Sequence, residues 1–136
     1  MESWVLHSIL HFLIPVILIV LSLIYVEDIS IIERIVVIFA GAFIPDIDHF
    51  IYLKYIRFTS IKDFLRFNIK SDRYRRGFLL FHNIPTIAIL LITVPLLMFY
   101  NTLISLFLLA FLIHLIFDFF EDRIIIRVSK HWKFGK

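Results

Sequence analysis

The sequence has no cysteine among its 136 residues, and it has only three glycines and four prolines. The absence of cysteine excludes disulfide-stapled secreted modules, thiolate zinc sites, iron–sulfur clusters and cysteine nucleophiles. Charged residues are also few, at 18% of the chain, whereas hydrophobic residues make up 61%. Because soluble domains are only about 45–50% apolar, this composition excludes a disordered chain and an ordinary cytosolic domain. We therefore expect an integral membrane protein.

Four apolar stretches are long enough, at about 20 residues each, to cross a bilayer as helices. They cover approximately residues 4–26, 29–53, 78–100 and 102–120. The sequence thus predicts an all-α fold, a single polytopic domain over residues 1–136 with four transmembrane helices. The turn between the last two stretches is so short that they are expected to form an antiparallel hairpin. The first stretch lacks a basic leader and a small-residue cleavage site, so we interpret it as a permanent helix.

Basic residues are concentrated in two segments. Eight of the fourteen Lys and Arg lie in residues 54–76, five lie in the tail at 121–136, and only Arg34 stands apart. The positive-inside rule places both segments and both termini in the cytoplasm, with the protein in the cell membrane. An amphipathic stretch after the capping-box pattern Ser60–Asp63 predicts a short surface helix facing anionic lipid head groups. The net charge of +3 therefore reports orientation, and we expect no nucleic-acid partner.

Ionisable residues interrupt the apolar stretches. Each costs about 2.5–3.5 kcal/mol in a membrane helix, so its presence needs a reason. At about 1.5 Å per residue, eight of them lie within about 10 Å of the cytoplasmic end of their own span, although the spans alternate in direction. The members of this predicted layer are His7, His11, Asp46, Asp48, His49, His82, His114 and Asp118.

Helical spacing pairs several of these side chains on shared faces. The pairs are His7 with His11, His114 with Asp118, and Asp46 with His49 if helix resumes at Pro45. Imidazole and carboxylate groups in such pairs predict one or two divalent metal ions per chain, with zinc as the first choice and manganese or iron as alternatives. Asp48 points away from the pairs, so it is a weaker ligand candidate and is suited to orient ligands or act as a base.

Three prolines lie in or beside the same layer. A proline inside a helix leaves the carbonyl four residues earlier without its usual donor. Such carbonyls are tolerated at membrane depth where they meet protein, water or ions. By this spacing Pro15, Pro45 and Pro85 would free the carbonyls of His11, Gly41 and Phe81.

The order of these motifs resembles the YdjM-like family of LexA-regulated, membrane-bound, metal-dependent hydrolases. The similar motifs are an early His, Pro-Asp-Ile-Asp-His at 45–49, Arg76-Gly77 followed by His82, and His-x-x-x-Asp at 114–118. The resemblance covers nearly the whole chain and implies a multi-span helical protein with a metal site. The ligands or catalytic groups that it implies are Asp46, Asp48, His49, His82, His114 and Asp118. Two positions depart from the family pattern: Arg75 replaces the His of His-Arg-Gly, and His82 follows Gly77 by five residues rather than three.

The predicted function is a metal-dependent hydrolase at the cytoplasmic membrane face that cleaves a phosphoester of a lipid or head group. The metal would lower the pKa of a bound water, Arg75 and Arg76 would hold the phosphate, and Asp48 would serve as base. Two alternatives stay open. One is transport of protons or metal ions through the polar layer, for which the chain could form a homo-oligomer. The other is a non-catalytic membrane subunit with a structural metal.

Overall fold

The structure, a computed structural model, describes residues 3–47 and 80–121, with the backbone alone for residues 3–7. The helices in these ranges are α1 (Ser3–Tyr25), α2 (Ile31–Phe43), α3 (Ile84–Met98) and α4 (Thr102–Phe120), and a 3₁₀ turn (Ile44–Asp46) follows α2. Neither range contains a strand, so the all-α prediction is confirmed for them. The predicted surface helix in 54–76, the end of the second span and most of the tail lie outside the described residues.

A buried arginine closes the C-terminal end of α1. Arg34, from α2, is only 4% exposed. Its guanidinium donates hydrogen bonds to the carbonyl oxygens of Ser22 and Val26, and its Nε donates to that of Ile29 at 2.9 Å. The Ser22 carbonyl also accepts from the Val26 N–H at 3.0 Å, so the guanidinium is its second donor, and the cation lies at the negative end of the helix dipole, where positive charge is favourable. No role for Arg34 was predicted from the sequence, because nothing in the neighbouring residues indicates which carbonyls it contacts.

Helix α2 begins and ends for different local reasons. At its start, the Ser30 hydroxyl accepts from the Glu33 N–H at 3.3 Å, and the Glu33 carboxylate accepts from the Ser30 N–H at 3.0 Å. This reciprocal capping box satisfies two backbone donors. At its end, Pro45 has no N–H with which to continue the helix, and the chain tightens into the 3₁₀ turn that carries Asp46.

α3 and α4 form an antiparallel hairpin. Each begins at an asparagine cap: Asn83 Oδ1 accepts from the Thr86 N–H at 2.9 Å, and Asn101 Oδ1 accepts from the Ile104 N–H at 3.0 Å. Ser105, on α4, donates to the carbonyl oxygen of Val94 across the hairpin at 3.1 Å. The three-residue link between Met98 and Thr102 leaves no room for another orientation.

The N-terminal end of α3 differs from the expectation. The apolar run was predicted to be helical from about residue 78, but the helix begins at Ile84 and residues 80–83 form a bent segment that contains His82. Pro85 therefore lies in the first turn of α3, where a backbone N–H has no helical partner in any case. The prediction that it frees the Phe81 carbonyl is wrong, because that oxygen accepts from the Asn83 N–H at 2.8 Å.

α4 is the central helix among those described. It packs most extensively on α2 and also contacts α3 and α1. The contact with α2 is closest at Gly41, where a Cβ would overlap the carbonyl oxygen of Phe107 and would lie 3.0 Å from the Ala110 Cβ. Ile38 on α2 and Ala110 on α4 are fully buried. The absence of a side chain at Gly41 thus sets how near α2 and α4 can lie.

Two of the helices in residues 3–47 and 80–121 are long and apolar enough to cross a membrane. They are Ser8–Tyr25 within α1, of which 17% is buried in the structure, and Thr102–Phe120, of which 39% is buried. Ile84–Met98 is apolar but shorter, and α2 has 13 residues that include Glu33 and Arg34. Four apolar stretches were predicted to span, and two helices meet the length and composition required.

Candidate metal centre

Five of the predicted site residues lie together at one end of the described helices. The fold explains this, because α1 and α2 run in opposite directions, as do α3 and α4. The N-terminal half of α1, the turn after α2, the segment before α3 and the end of α4 therefore meet. The residues that they contribute are His11, Asp46, His82, His114 and Asp118.

The Asp118 carboxylate is the centre of this cluster. Its Oδ1 lies 2.8 Å from the Nε2 of His11, and its Oδ2 lies 2.9 Å from the Nε2 of His82 and 3.1 Å from that of His114. These side chains are 3–8% exposed. One carboxylate thus receives three imidazole nitrogens from three separate segments, which a chain without tertiary contacts could not arrange.

Asp46 forms the open edge of the cluster. Its Oδ1 lies 3.4 Å from the Nε2 of His114, and its side chain is 31% exposed. Together with His82, His114 and Asp118 it offers four ligand atoms that all lie within 4.8 Å of one another. The site is therefore closed on the side of the three histidines and accessible beside Asp46.

The spacing of these atoms fits a divalent metal ion. With metal–ligand distances of about 2.1 Å, neighbouring ligand atoms are about 3.0 Å apart in an octahedral site and about 3.4 Å apart in a tetrahedral one. The His82–Asp118, His114–Asp118 and His114–Asp46 contacts, at 2.9, 3.1 and 3.4 Å, fall at these values. Two imidazoles and two carboxylates are also a donor set that zinc accepts. The residues could hold a metal ion.

The orientation of two buried atoms supports the same interpretation. Within the described part of the chain, His114 Nε2 and Asp118 Oδ1 make no hydrogen bond of acceptable geometry, although both lie within 3.4 Å of polar atoms. Close polar atoms that are not aligned for hydrogen bonding leave their lone pairs directed elsewhere. Buried polar groups are normally hydrogen-bonded, so a cation that these lone pairs share would satisfy them.

Ring packing holds the imidazoles in place. The His11 ring lies edge-on to the rings of His114 and Phe117, with centroid distances of 4.6 and 5.3 Å, and the His82 and His114 ring centroids are 5.8 Å apart. Beside His82, the Asn83 side chain donates to the Leu80 carbonyl at 2.7 Å while it caps α3. The rotamers of the histidines are therefore constrained without an ion, as a pre-formed site requires.

Glu121 is a site residue that the sequence did not predict. It lies at the C-cap of α4, is 6% exposed and offers a carboxylate oxygen within 4.8 Å of ligand atoms of His11 and Asp118. The spacing of Glu121 from the other ligands could have indicated it, since residues 114, 118 and 121 follow the i, i+4, i+7 repeat of one helical face. The predicted tail begins at residue 121, which separates Glu121 from the helical face that it shares with His114 and Asp118.

The remaining predicted residues cannot be placed. The side chain of His7 and the whole of Asp48, His49, Arg75 and Arg76 lie outside the described residues. Their roles as ligands, phosphate-binding groups or base stay predictions.

Comparisons with known proteins give no relative for this arrangement. No family model, no curated protein and no solved structure matches the chain. The resemblance to the YdjM-like family therefore stays a prediction from the motifs, and any functional conclusion depends on the site itself.

Proposed function

We propose that the chain is a four-span protein of the cell membrane, oriented with the metal centre toward the cytoplasm. The apolar surface of the described helices supports this proposal. Phe12, Ile32 and Ile92, on three different helices, are 58%, 71% and 65% exposed, and α1 is largely unburied. Soluble monomers rarely expose contiguous apolar patches of more than a few hundred Å², whereas lipid solvates such side chains. The orientation rests on the basic segments at 54–76 and 121–136.

Within that membrane protein, we propose a metal-dependent hydrolase that cleaves a phosphoester of a lipid or head group. The convergence of Asp46, His82, His114 and Asp118 carries the proposal. When bound there, zinc or another divalent ion would supply Lewis acidity and a water molecule of lowered pKa. Asp118 and the two histidines would hold the ion from the buried side, and Asp46 would bind it at the accessible edge. A substrate would approach past Asp46.

A phosphoester is proposed as the substrate because the neighbouring sequence carries basic residues. Arg75 and Arg76 precede the third span, whose described part begins near His82, and guanidinium groups bind phosphate oxygens bidentately. Asp48 is two residues beyond Asp46, which suits a group that orients a ligand or accepts a proton. In the proposed reaction the two arginines bind the phosphate, and Asp48 orients a ligand or accepts a proton as the base.

The test combines metal analysis with hydrolysis assays on protein purified in mild detergent. We expect bound zinc or manganese, and slow cleavage of bis(p-nitrophenyl) phosphate or of phosphatidic acid in phosphatidylcholine vesicles. His114→Ala and Asp118→Asn should lose both. Glu27→Gln, which changes an exposed carboxylate at the opposite end of α1, is the matched control and should keep both. Metal-free wild-type protein whose fold matches that of the two variants would refute the metal centre.

The structure offers little support for conduction through the described helices. Two hydroxyls in their distal halves bind backbone carbonyls: Ser22 donates to the Ile19 carbonyl at 2.8 Å, and Thr93 donates to the Ile89 carbonyl at 2.8 Å. These residues therefore present no free polar lining. Flux of protons or zinc into liposomes that hold the wild type, with loss in Asp46→Asn, would favour transport instead. Tightly bound metal without hydrolysis or flux would indicate a structural ion.

A further inference from the structure

The backbone that carries His82 lies outside the helices. Residues 80–83 form a bent segment ahead of α3, yet the Nε2 of His82 lies 2.9 Å from the Oδ2 of Asp118 and its side chain is only 3% exposed. A ligand on a helix is held in place by the hydrogen bonds of that helix. A ligand on a bent segment depends on other contacts to fix its position.

Asn83 supplies such contacts to the backbone before His82. Its own N–H donates to the carbonyl oxygen of Phe81 at 2.8 Å, which closes a three-residue turn with His82 at its centre. Its Nδ2 donates to the carbonyl oxygen of Leu80 at 2.7 Å. The two carbonyl groups that precede His82 are therefore both bound by the residue that follows it.

The same side chain joins this turn to α3. The Oδ1 of Asn83 accepts hydrogen bonds from the N–H and from the hydroxyl of Thr86, both at 2.9 Å. The residue is 9% exposed, and Phe81 packs edge-on against Phe111 of α4 with ring centroids 5.3 Å apart. Because one carboxamide binds the turn through Nδ2 and the helix through Oδ1, it cannot rotate without breaking both connections.

We propose that Asn83 is a positioning residue of the candidate metal centre, which holds the Nε2 of His82 at the distance from Asp118 that a shared ion requires. This inference rests on the metal centre of the proposed function. The carboxamide is engaged with Leu80 and Thr86, so it acts through His82 rather than on the ion. Removal of a group that orients a metal ligand typically lowers metal affinity by about 10- to 100-fold.

The chain offers a matched control for this role. Asn101 caps α4 at the far end of the hairpin through the same contact, with its Oδ1 3.0 Å from the Ile104 nitrogen. Serine caps helices about as well as asparagine, but it has no carboxamide nitrogen for the Leu80 carbonyl. In titrations of detergent-solubilised protein with zinc and a competing chelator, Asn83→Ser should bind zinc about 10- to 100-fold more weakly than the wild type. Asn101→Ser should bind zinc as the wild type does.

A double-mutant cycle separates positioning from a general loosening of the fold. In a His82→Ala background, Asn83→Ser should cause no further loss of zinc affinity, because the ligand that it positions is absent. In an Asp46→Asn background its full effect should persist, since Asp46 reaches the site from another segment. Equal losses in the two backgrounds would overturn the proposal. If His82→Ala binds too little zinc to titrate, the difference between the two serine variants decides the question.

The outcomes also separate this inference from the proposed function. A wild type that binds no zinc refutes the metal centre and the positioning role together. Zinc that is bound by the wild type, lost in His114→Ala and held with unchanged affinity in Asn83→Ser refutes the positioning role alone. If Asn83→Ser does not fold, Thr86→Val removes only the hydroxyl donor to Asn83. This variant should weaken zinc binding by a smaller factor, and unchanged affinity would again overturn the proposal.

Discussion

The contact between α2 and α4 at Gly41 should control metal binding from a distance. Gly41→Ala adds one methyl group, which would overlap the Phe107 carbonyl oxygen and lie 3.0 Å from the Ala110 Cβ. Ordinary contacts between carbon atoms are about 3.5–4.0 Å. The obstacle is backbone rather than a flexible side chain, so relief requires the two helices to separate by about half an ångström or more.

The cost follows from that displacement. Overpacked core sites lose about 1–3 kcal/mol, and we expect the upper part of this range because the Phe107 carbonyl cannot rotate away. Asp46 is five residues beyond Gly41, and its Oδ1 lies 3.4 Å from His114 Nε2 on α4. Metal–ligand distances are confined to about ±0.2 Å, so a shift of half an ångström should weaken metal binding about tenfold or more.

Denaturant unfolding in detergent micelles and zinc titration with a competing chelator would measure both effects. Val36→Ala is the matched control, since it alters an exposed position of α2 that is 59% accessible and should change neither quantity appreciably. Ala110→Gly in the Gly41→Ala background should restore little, because the Phe107 carbonyl remains in the way. A Gly41→Ala protein with wild-type stability and zinc affinity would refute the described approach of α2 to α4.

Three further changes test other parts of the structure. Arg34→Met should destabilise the protein by about 2–4 kcal/mol in denaturant unfolding. The variant loses hydrogen bonds to three carbonyls, and hydrogen bonds to charged groups contribute about 1.5–3 kcal/mol each. Its zinc content should stay that of the wild type, and a loss of zinc would contradict the separation of the Arg34 end of the helices from the metal centre. Saturating zinc at 100 times its dissociation constant should raise the free energy of unfolding by about 2.7 kcal/mol, and an equal increment in His114→Ala would show that the ion binds elsewhere. Ser105→Ala removes the hydrogen bond to Val94 and should cost about 1 kcal/mol without affecting metal content, whereas an unchanged free energy of unfolding would mean that this bond does not stabilise the hairpin.

The helical character of the described chain was predictable because it is a local property. Long apolar runs leave the backbone no partner but itself, so α1 and α4 follow from composition and length. The exact ends of the helices were harder to predict from the sequence. The start of α3 depended on the Asn83 cap and on the tolerance of a first-turn proline, and the apolar run concealed both signals.

The candidate site was partly predictable for a related reason. His11, Asp46, His82, His114 and Asp118 are conspicuous because polar groups are costly among apolar ones, and the spacing of His114 and Asp118 already placed them on one face. The sequence could not assign which atoms meet. His82 approaches Asp118 from a bent segment rather than from a helix, and Glu121 lies in the segment predicted to be the tail.

Composition and spacing were sufficient to predict that the described chain is helical and apolar and that its ligand-type residues recur at corresponding ends of successive segments. The packing of the helices was needed to show that Asp118 is the common partner of three histidines, that its two oxygens face different histidines, and that Arg34 caps α1 at the end opposite the site. The two kinds of feature differ in how far apart along the chain the interacting residues lie. Helix formation depends on hydrogen bonds four residues apart, whereas the site depends on how closely α2 packs on α4, and Gly41 fixes that distance.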